Sequence, residues 1–227
     1  FNVLTCVNAA NVQHPLTVYR FLRDEIGAEF IQFIPIVEPA AAPALVSTRS
    51  ISDEAYGAFL IAIFNEWVRR DVGRVSVQIF EAALAVWAGK GLGLCIFDET
   101  CGRGLALEHN GDVYACDHFV DPAHRLGNLQ TQSLIELVES PAQIAFGQAK
   151  KADLPAYCRR CPVRFACNGG CPKDRLLVTP DGESGLNYLC TGYKAFFSHI
   201  DRAMQGMALL LHAGRHPAEI MRVLASV

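Results

Sequence analysis

The 227-residue sequence predicts an α/β fold whose texture changes near residue 92. Two observations carry that prediction. Apolar strand-like runs alternate with helical stripes up to about residue 90, and eight of the nine cysteines fall between Cys95 and Cys190, among short runs and turns.

Residues 1–8 read as a short buried strand through Phe1, Val3, Leu4, Cys6 and Val7. A helix follows from His14-Pro15, with Val18, Phe21, Leu22 and Ile26 as its apolar stripe and Gly27 as its stop. Residues 30–34 form a second strand, giving a strand–helix–strand unit with parallel strands. Beyond the proline- and alanine-rich loop 39–43, Ser52-Asp53-Glu54 open an acidic helix start, and Ala55, Phe59, Ile63, Phe64 and Trp67 carry helical periodicity to Arg70 as core. A third strand, 75–80, leads into a helix over 82–87 that Gly89 ends. This alternation reads as the tail of an α/β barrel; three strands cannot close a barrel by themselves, so either partner strands come from elsewhere or part of the chain is missing. Further on, residues 105–108 and 113–115 flank Asn110-Gly111, the signature of a type I′ hairpin. Residues 134–138 form a short helix, and the stretch from 187 to about 211 contains a longer one.

A formal charge of −3 gives no electrostatic footprint for nucleic acid or an anionic membrane surface. No run reaches the roughly 18 to 20 apolar residues of a membrane span, and Phe1-Asn2-Val3-Leu4-Thr5 lacks the flank and cleavage site of a signal peptide. Neither a nucleic-acid nor a membrane partner is expected, and the expected compartment is the cytoplasm. In a reducing compartment clustered thiols bind metal or do redox chemistry.

The cysteines run Cys95-x5-Cys101-x14-Cys116, then Cys158-x2-Cys161-x5-Cys167-x3-Cys171, then Cys190. Eight thiolates supply two complete four-ligand sites. Spacing alone leaves the metal open, since four-cysteine sites suit structural zinc as well as iron–sulfur clusters.

The pattern Cys101-x9-Gly111-x4-Cys116, Cys158-x2-Cys161-x5-Cys167-x3-Cys171 and Cys190 resembles the seven-cysteine signature of the SPASM domain of radical S-adenosylmethionine peptide-modifying enzymes. The runs "CGRGLALEHNGDVYACDHFV" (101–120), "RLGNL" (125–129), "CRRCPVRFACNGGCPKDR" (158–175) and "GLNYLC" (185–190) are similar to the anaerobic sulfatase-maturating enzymes in particular. The resemblance implies an α/β chain in which 1–92 is the C-terminal part of a partial radical SAM (β/α) barrel. Residues 93–227 are then a SPASM auxiliary-cluster domain with a C-terminal helix. It implies two auxiliary [4Fe–4S] clusters, one on Cys95, Cys101, Cys116 and Cys171 and the other on Cys158, Cys161, Cys167 and Cys190. S-adenosylmethionine and a third [4Fe–4S] cluster are implied for the full-length enzyme. The implied partners are a sulfatase polypeptide and an electron donor such as flavodoxin or ferredoxin.

In that family an active-site cysteine or serine of a sulfatase becomes formylglycine. A 5′-deoxyadenosyl radical abstracts hydrogen from the substrate Cβ, the thiol or hydroxyl loses its proton, and one electron leaves. A base must sit near the reacting carbon. The resemblance places the catalytic aspartate at Asp117, directly after Cys116, where burial would raise its pKa; without the resemblance, Asp117 reads as a loop or capping residue.

His118 reads as packing against the hairpin, and Gly169-Gly170 as a place where backbone passes close to a cluster or simply turns. Pro162 and Pro172 stiffen the cysteine loops. Gln32, Gln78 and Glu38 lie in or just past strands without an assigned role, and Cys6 reads as a small buried hydrophobe.

One departure from the family stands out: no Cys-x3-Cys-x2-Cys triplet occurs. With a start inside a strand and no initiator methionine, the expectation is an N-terminally truncated fragment that does not cleave S-adenosylmethionine by itself. Two rival readings are another SPASM peptide-modifying enzyme and a non-enzymatic binding module stabilised by two zinc ions.

Overall fold

The computed structural model describes residues 1–91 and 93–225, so the predicted boundary residue Leu92 lies outside the described residues. The strands are β1 (Asn2–Val7), β2 (Phe30–Pro35), β3 (Ser76–Val77), β4 (Ala106–Leu107), β5 (Asp112–Tyr114), β6 (Arg125–Asn128), β7 (Leu177–Val178) and β8 (Ser184–Leu186). The helices are α1 (Pro15–Arg20), α2 (Asp53–Arg70), α3 (Gln78–Trp87), α4 (Leu134–Val138), α5 (Pro141–Ala152), α6 (Ala156–Arg159), α7 (Arg164–Cys167), α8 (Cys190–His212) and α9 (Ile220–Ala225). Two compact units result: Phe1–Gly93 with Phe165–Cys167 and Tyr188–Val227, and Leu94–Arg164 with Asn168–Asn187.

In the first unit, β1, β2 and β3 form a three-stranded parallel sheet in that order, with Asn2 opposite Phe30, Cys6 opposite Ile34 and Phe30 opposite Ser76. The predicted strand–helix–strand unit is therefore present, and no closed barrel forms among the described residues. Helix α2 starts where Ser52 Oγ accepts from the Ala55 amide at 3.2 Å, which satisfies one of the free N–H groups of the first turn. Its inner face carries Phe59, Phe64 and Trp67, all at most 2% exposed: Phe59 meets Phe33 of β2, Phe64 meets Phe80 of α3 and Phe196 of α8, and Trp67 meets Phe80. Trp67 Nε1 donates to the Val75 carbonyl at 2.7 Å, so the indole's polar edge is satisfied inside the core. Helices α2 and α8 meet at Gly57 and Gly192, where a Cβ on Gly192 would lie 2.0 Å from the Asp53 carbonyl oxygen.

Several sequence expectations change here. Strand β1 is not buried: it is an edge strand whose residues alternate, and Leu4 is 60% exposed while Val7 is fully covered. Cys6 lies on the open face and is exposed. After Arg20 the first helix widens into a π-helical turn, Phe21–Glu25, closed by the Ile26 amide donating to the Phe21 carbonyl. That turn shifts the helical phase. Tyr19 and Leu22 face inward, while Phe21 and Ile26 of the expected stripe are largely exposed. The third strand spans only Ser76–Val77, and helix begins at Gln78, which is exposed. Ile79, Phe80, Ala83 and Leu84 recur with helical rather than alternating periodicity, and all four are buried.

The second unit holds an antiparallel meander, β4-β5-β6, and a small hairpin, β7-β8. The hairpin at Asn110-Gly111 forms with Ala106 opposite Tyr114, but its turn is not type I′. That turn needs positive φ at both central residues. Here Gly111 has φ +89°, and among the described non-glycine residues only Asn168 has a positive φ. The turn closes instead through the Gly111 amide donating to the Glu108 carbonyl, with Gly111 as the left-handed residue that re-enters β5. Helix α4 matches its expected span and carries a capping box between Ser133 and Glu136. Strand β6, the β7-β8 hairpin and helix α5 were not anticipated.

Candidate iron–sulfur site

In the second unit, helix α5 holds the backbone at or beside Cys95, Cys101 and Cys116. Gln143, Gly147 and Lys150 stand at i, i+4 and i+7, one face of the helix. The Cys101 amide donates to the Gly147 carbonyl at 3.0 Å. Gln143 Nε2 donates to the carbonyls of Gly102 at 2.9 Å and Ala115 at 3.1 Å. Lys150 Nζ donates to the carbonyls of Cys95 at 2.6 Å and Ile96 at 3.0 Å. One helix face thus holds the backbone beside Cys95, Cys101 and Cys116. Gly147 is required by this approach, since a Cβ there would sit 2.6 Å from the Cys101 carbonyl oxygen.

Cys101 lies within electrostatic range of Cys95 and Cys171, and Cys116 lies within range of Cys171. Cys95, Cys101, Cys116 and Cys171 all belong to the second unit, each within electrostatic range of at least one other of the four. Burial pushes the Cys116 thiol up to about 12 and the Cys171 thiol up to about 11, and raises Cys101 as well. Two cations face this group: Lys150, in range of Cys101, Cys171 and Cys95, and Arg175, in range of Cys158, Cys101 and Cys171. The His118 amide donates to Cys116 Sγ at 3.5 Å, and the Lys173 amide donates to Cys171.

Among the described residues, no three histidine, cysteine, aspartate or glutamate side chains converge closely enough to hold one metal ion. A tetrahedral zinc needs all four sulfurs about 2.3 Å from one point. A cubane bonds each thiolate to a different iron and so takes a more open set. The facing cations Lys150 and Arg175 and the amides directed at Cys116 and Cys171 fit an anionic sulfur-ligated group.

Of the second predicted set, Cys158 and Cys161 belong to the second unit and face each other across a turn closed by the Cys161 amide donating to the Cys158 carbonyl at 3.1 Å. Cys167 ends α7 and Cys190 begins α8, and both belong to the first unit. Between Cys167 and Cys171 the chain turns through three left-handed residues, Asn168, Gly169 and Gly170. Side chains at the two glycines would strike Leu154 and Asn187, which makes close packing their observed role.

Asp117 follows Cys116 in a turn beyond β5, and Cys116 Sγ donates to its Oδ1 at 3.1 Å. The expected burial is not there: Asp117 is exposed, because the turn carries it outward from the meander. His118 is exposed as well and does not pack on the hairpin. Pro172 opens a 3-10 turn, Pro172–Asp174. In the first unit Gln32 is half-buried. Glu38 is tied to Ser47 and Arg49, whose hydroxyl and guanidinium hold its carboxyl below the usual range. It lines an open cleft of about 420 Å³ with Cys6, Asn8, Ile36 and Arg49, at the C-terminal ends of β1 and β2, where parallel sheets seat ligands. Sequence reasoning missed Gln143, Lys150 and Arg175. Their one signal, the spacing of Gln143, Gly147 and Lys150, carries meaning only once α5 is known to be a helix.

Fold and cysteines together define the class: a mixed α/β chain in which part of a radical SAM architecture precedes a SPASM region. Residues 95–162 match the family model of SPASM, described as an iron-sulfur cluster-binding domain. A serine-type anaerobic sulfatase-maturating enzyme of Bacteroides thetaiotaomicron is 42% identical over 238 residues, covering 99% of this chain and 57% of the relative. A cysteine-type anaerobic sulfatase-maturating enzyme of Clostridium perfringens is 30% identical over 202 residues, covering 88% of this chain and 54% of the relative. The solved structure of native anSMEcpe with bound AdoMet and Cp18Cys peptide superposes with a TM-score of 0.81 at 29% identity, over 93% of this chain and 58% of that one. The chain is a homologue of the anaerobic sulfatase-maturating enzymes and corresponds to their C-terminal portion. It spans about half the length of the curated relatives it matches.

Proposed function

We propose that this chain is the auxiliary-cluster portion of a radical SAM enzyme that oxidises a cysteine or serine of a sulfatase polypeptide to formylglycine. The observation that carries the reading is the gathering of Cys95, Cys101, Cys116 and Cys171 in one unit, with Asp117 hydrogen-bonded to Cys116. In this reading Cys95, Cys101, Cys116 and Cys171 hold one [4Fe–4S] cluster and Cys158, Cys161, Cys167 and Cys190 hold another. Residues 1–92 contribute the end of the barrel, and 93–227 form the auxiliary-cluster domain. When bound, the clusters supply one-electron redox capacity.

Asp117 acts as the base and takes the proton from the substrate thiol or hydroxyl. A serine that loses a Cβ hydrogen atom, the hydroxyl proton and one electron has become an aldehyde, so a single carboxylate suffices for the proton. Its bond from Cys116 exists only while that sulfur carries a proton. A metal-bound thiolate has no S–H to donate, which frees the carboxylate. An electron donor of the flavodoxin or ferredoxin class is the second partner in this reading, and the setting is cytoplasmic.

Anaerobic reconstitution followed by iron, sulfide and zinc analysis tests the cluster assignment. About eight irons and eight sulfides per chain are expected, four of each per cubane; two zincs without sulfide would replace this reading by the zinc module. The base assignment has its own test. Reading the coding sequence upstream of Phe1 establishes whether Cys-x3-Cys-x2-Cys precedes it. In the protein that carries the triplet, Asp117→Asn is expected to leave cofactor cleavage largely intact and stop formylglycine formation on a sulfatase peptide. Undiminished product would remove Asp117 from the mechanism.

A further inference from the structure

Lys150 is an anomaly by the ordinary rules of burial. Its residue is 1% exposed, yet no carboxylate pairs with it among the described ion pairs. Its neighbour Lys151 behaves conventionally, reaching Glu99 at 2.8 Å on the surface. A buried ammonium without a counter-charge is strongly destabilising, and its two carbonyl partners, Cys95 and Ile96, take up two of its three donors without balancing its charge. The groups within reach that can become anionic include the sulfurs of Cys95, Cys101 and Cys171, and Arg175 adds a second cation nearby rather than a counter-charge. As free thiols they are neutral; as cluster ligands they are part of an anion.

We infer that Lys150 is a positioning residue of the cluster on Cys95, Cys101, Cys116 and Cys171, fixing the Cys95 loop through two carbonyls and supplying the buried positive charge that raises that cluster's reduction potential. The inference rests on the ligand set proposed above. Reduction adds an electron to an already anionic group, so a nearby fixed cation stabilises the reduced form more than the oxidised one. Gln143 and Gly147, on the same helix face, hold the other two loops and keep the ammonium at a fixed distance from the sulfurs.

The test uses the full 227-residue chain, reconstituted anaerobically, with iron and sulfide counted and midpoint potentials read by redox titration with electron paramagnetic resonance. Lys150→Met keeps the apolar stem and removes the charge. The expected result is full iron content with one of two midpoints shifted tenfold in its one-electron reduction equilibrium, about 59 mV to lower potential. Loss of four irons with the other cluster retained also supports the inference, because it locates the damage at the Cys95 loop. Full iron content with both midpoints unchanged overturns it, and so does loss of all iron, which marks general misfolding. Lys151→Met, removing a surface charge from the same helix, is expected to change neither quantity. Cys101→Ser separates the two readings. If it loses four irons while Lys150→Met changes nothing, the lysine inference fails alone; if it loses none, the ligand set itself is wrong.

Discussion

Asp112 illustrates how single residues secure the meander. The Arg125 guanidinium, with the amides of Asn128 and Asn110, holds its carboxyl down at about 2, so the ionised form ties β5 to β6. A carboxyl depressed by folding contributes stability above its ordinary pKa and loses it as pH falls through the folded value. Hydrogen exchange corrected for intrinsic rates is therefore expected to show β5 and β6 amides losing protection between about pH 4 and pH 2. Asp112→Asn should flatten that dependence. Identities at this scale were readable: each cysteine and Asp117 was named from its motif. Their surroundings were not. The exposure of Asp117 and Cys6 depends on which surfaces cover them, which no local pattern encodes.

At the scale of elements, the sequence marked strong periodicities well and their phases less well. Helix α2 came out with its cap and its core face because Ser52 and the spacing of Phe59, Ile63 and Trp67 agree. The first helix kept its proline start and glycine stop, yet Tyr19 faces inward and Phe21, the first residue of the π-helical turn, faces outward. Tyr19 then reaches Asp71 at 2.8 Å, a partner 52 residues away that local reading cannot see. The α2–α8 crossing is likewise a tertiary matter, and Gly192 is its tightest point. Gly192→Ala is expected to lower stability by about 1–3 kcal/mol, as overpacking does when backbone must move. A thermal melt near that of the parent would mean the helices separate without cost.

Across the whole molecule the two units differ in what supports them. The first contains the aromatic core of Phe59, Phe64, Trp67, Phe80 and Phe196. The second relies on strands of two to four residues and a thin set of buried side chains, among them Phe97, Val113, Leu137, Leu154 and Leu186. So little apolar burial leaves a larger share of the stability to bound metal. Anaerobic removal of iron by a chelator is expected to strip amide protection from residues 94–164 and 168–187 while α2 stays protected. Uniform loss across both units would refute that division. No helix among the described residues is long and apolar enough to cross a membrane.

The sequence by itself determined the candidate ligands and the elements: eight cysteines clustered between Cys95 and Cys190, an aspartate beside one of them, and a parallel strand–helix–strand unit, because ligand spacing and periodicity are local properties of the chain. Only the tertiary structure decided which sulfurs face one another and that a helix between them carries a buried, unpaired lysine. Charge balance depends on what folding brings near, so Lys150 is one more surface-type residue in the sequence and an exception only in the fold.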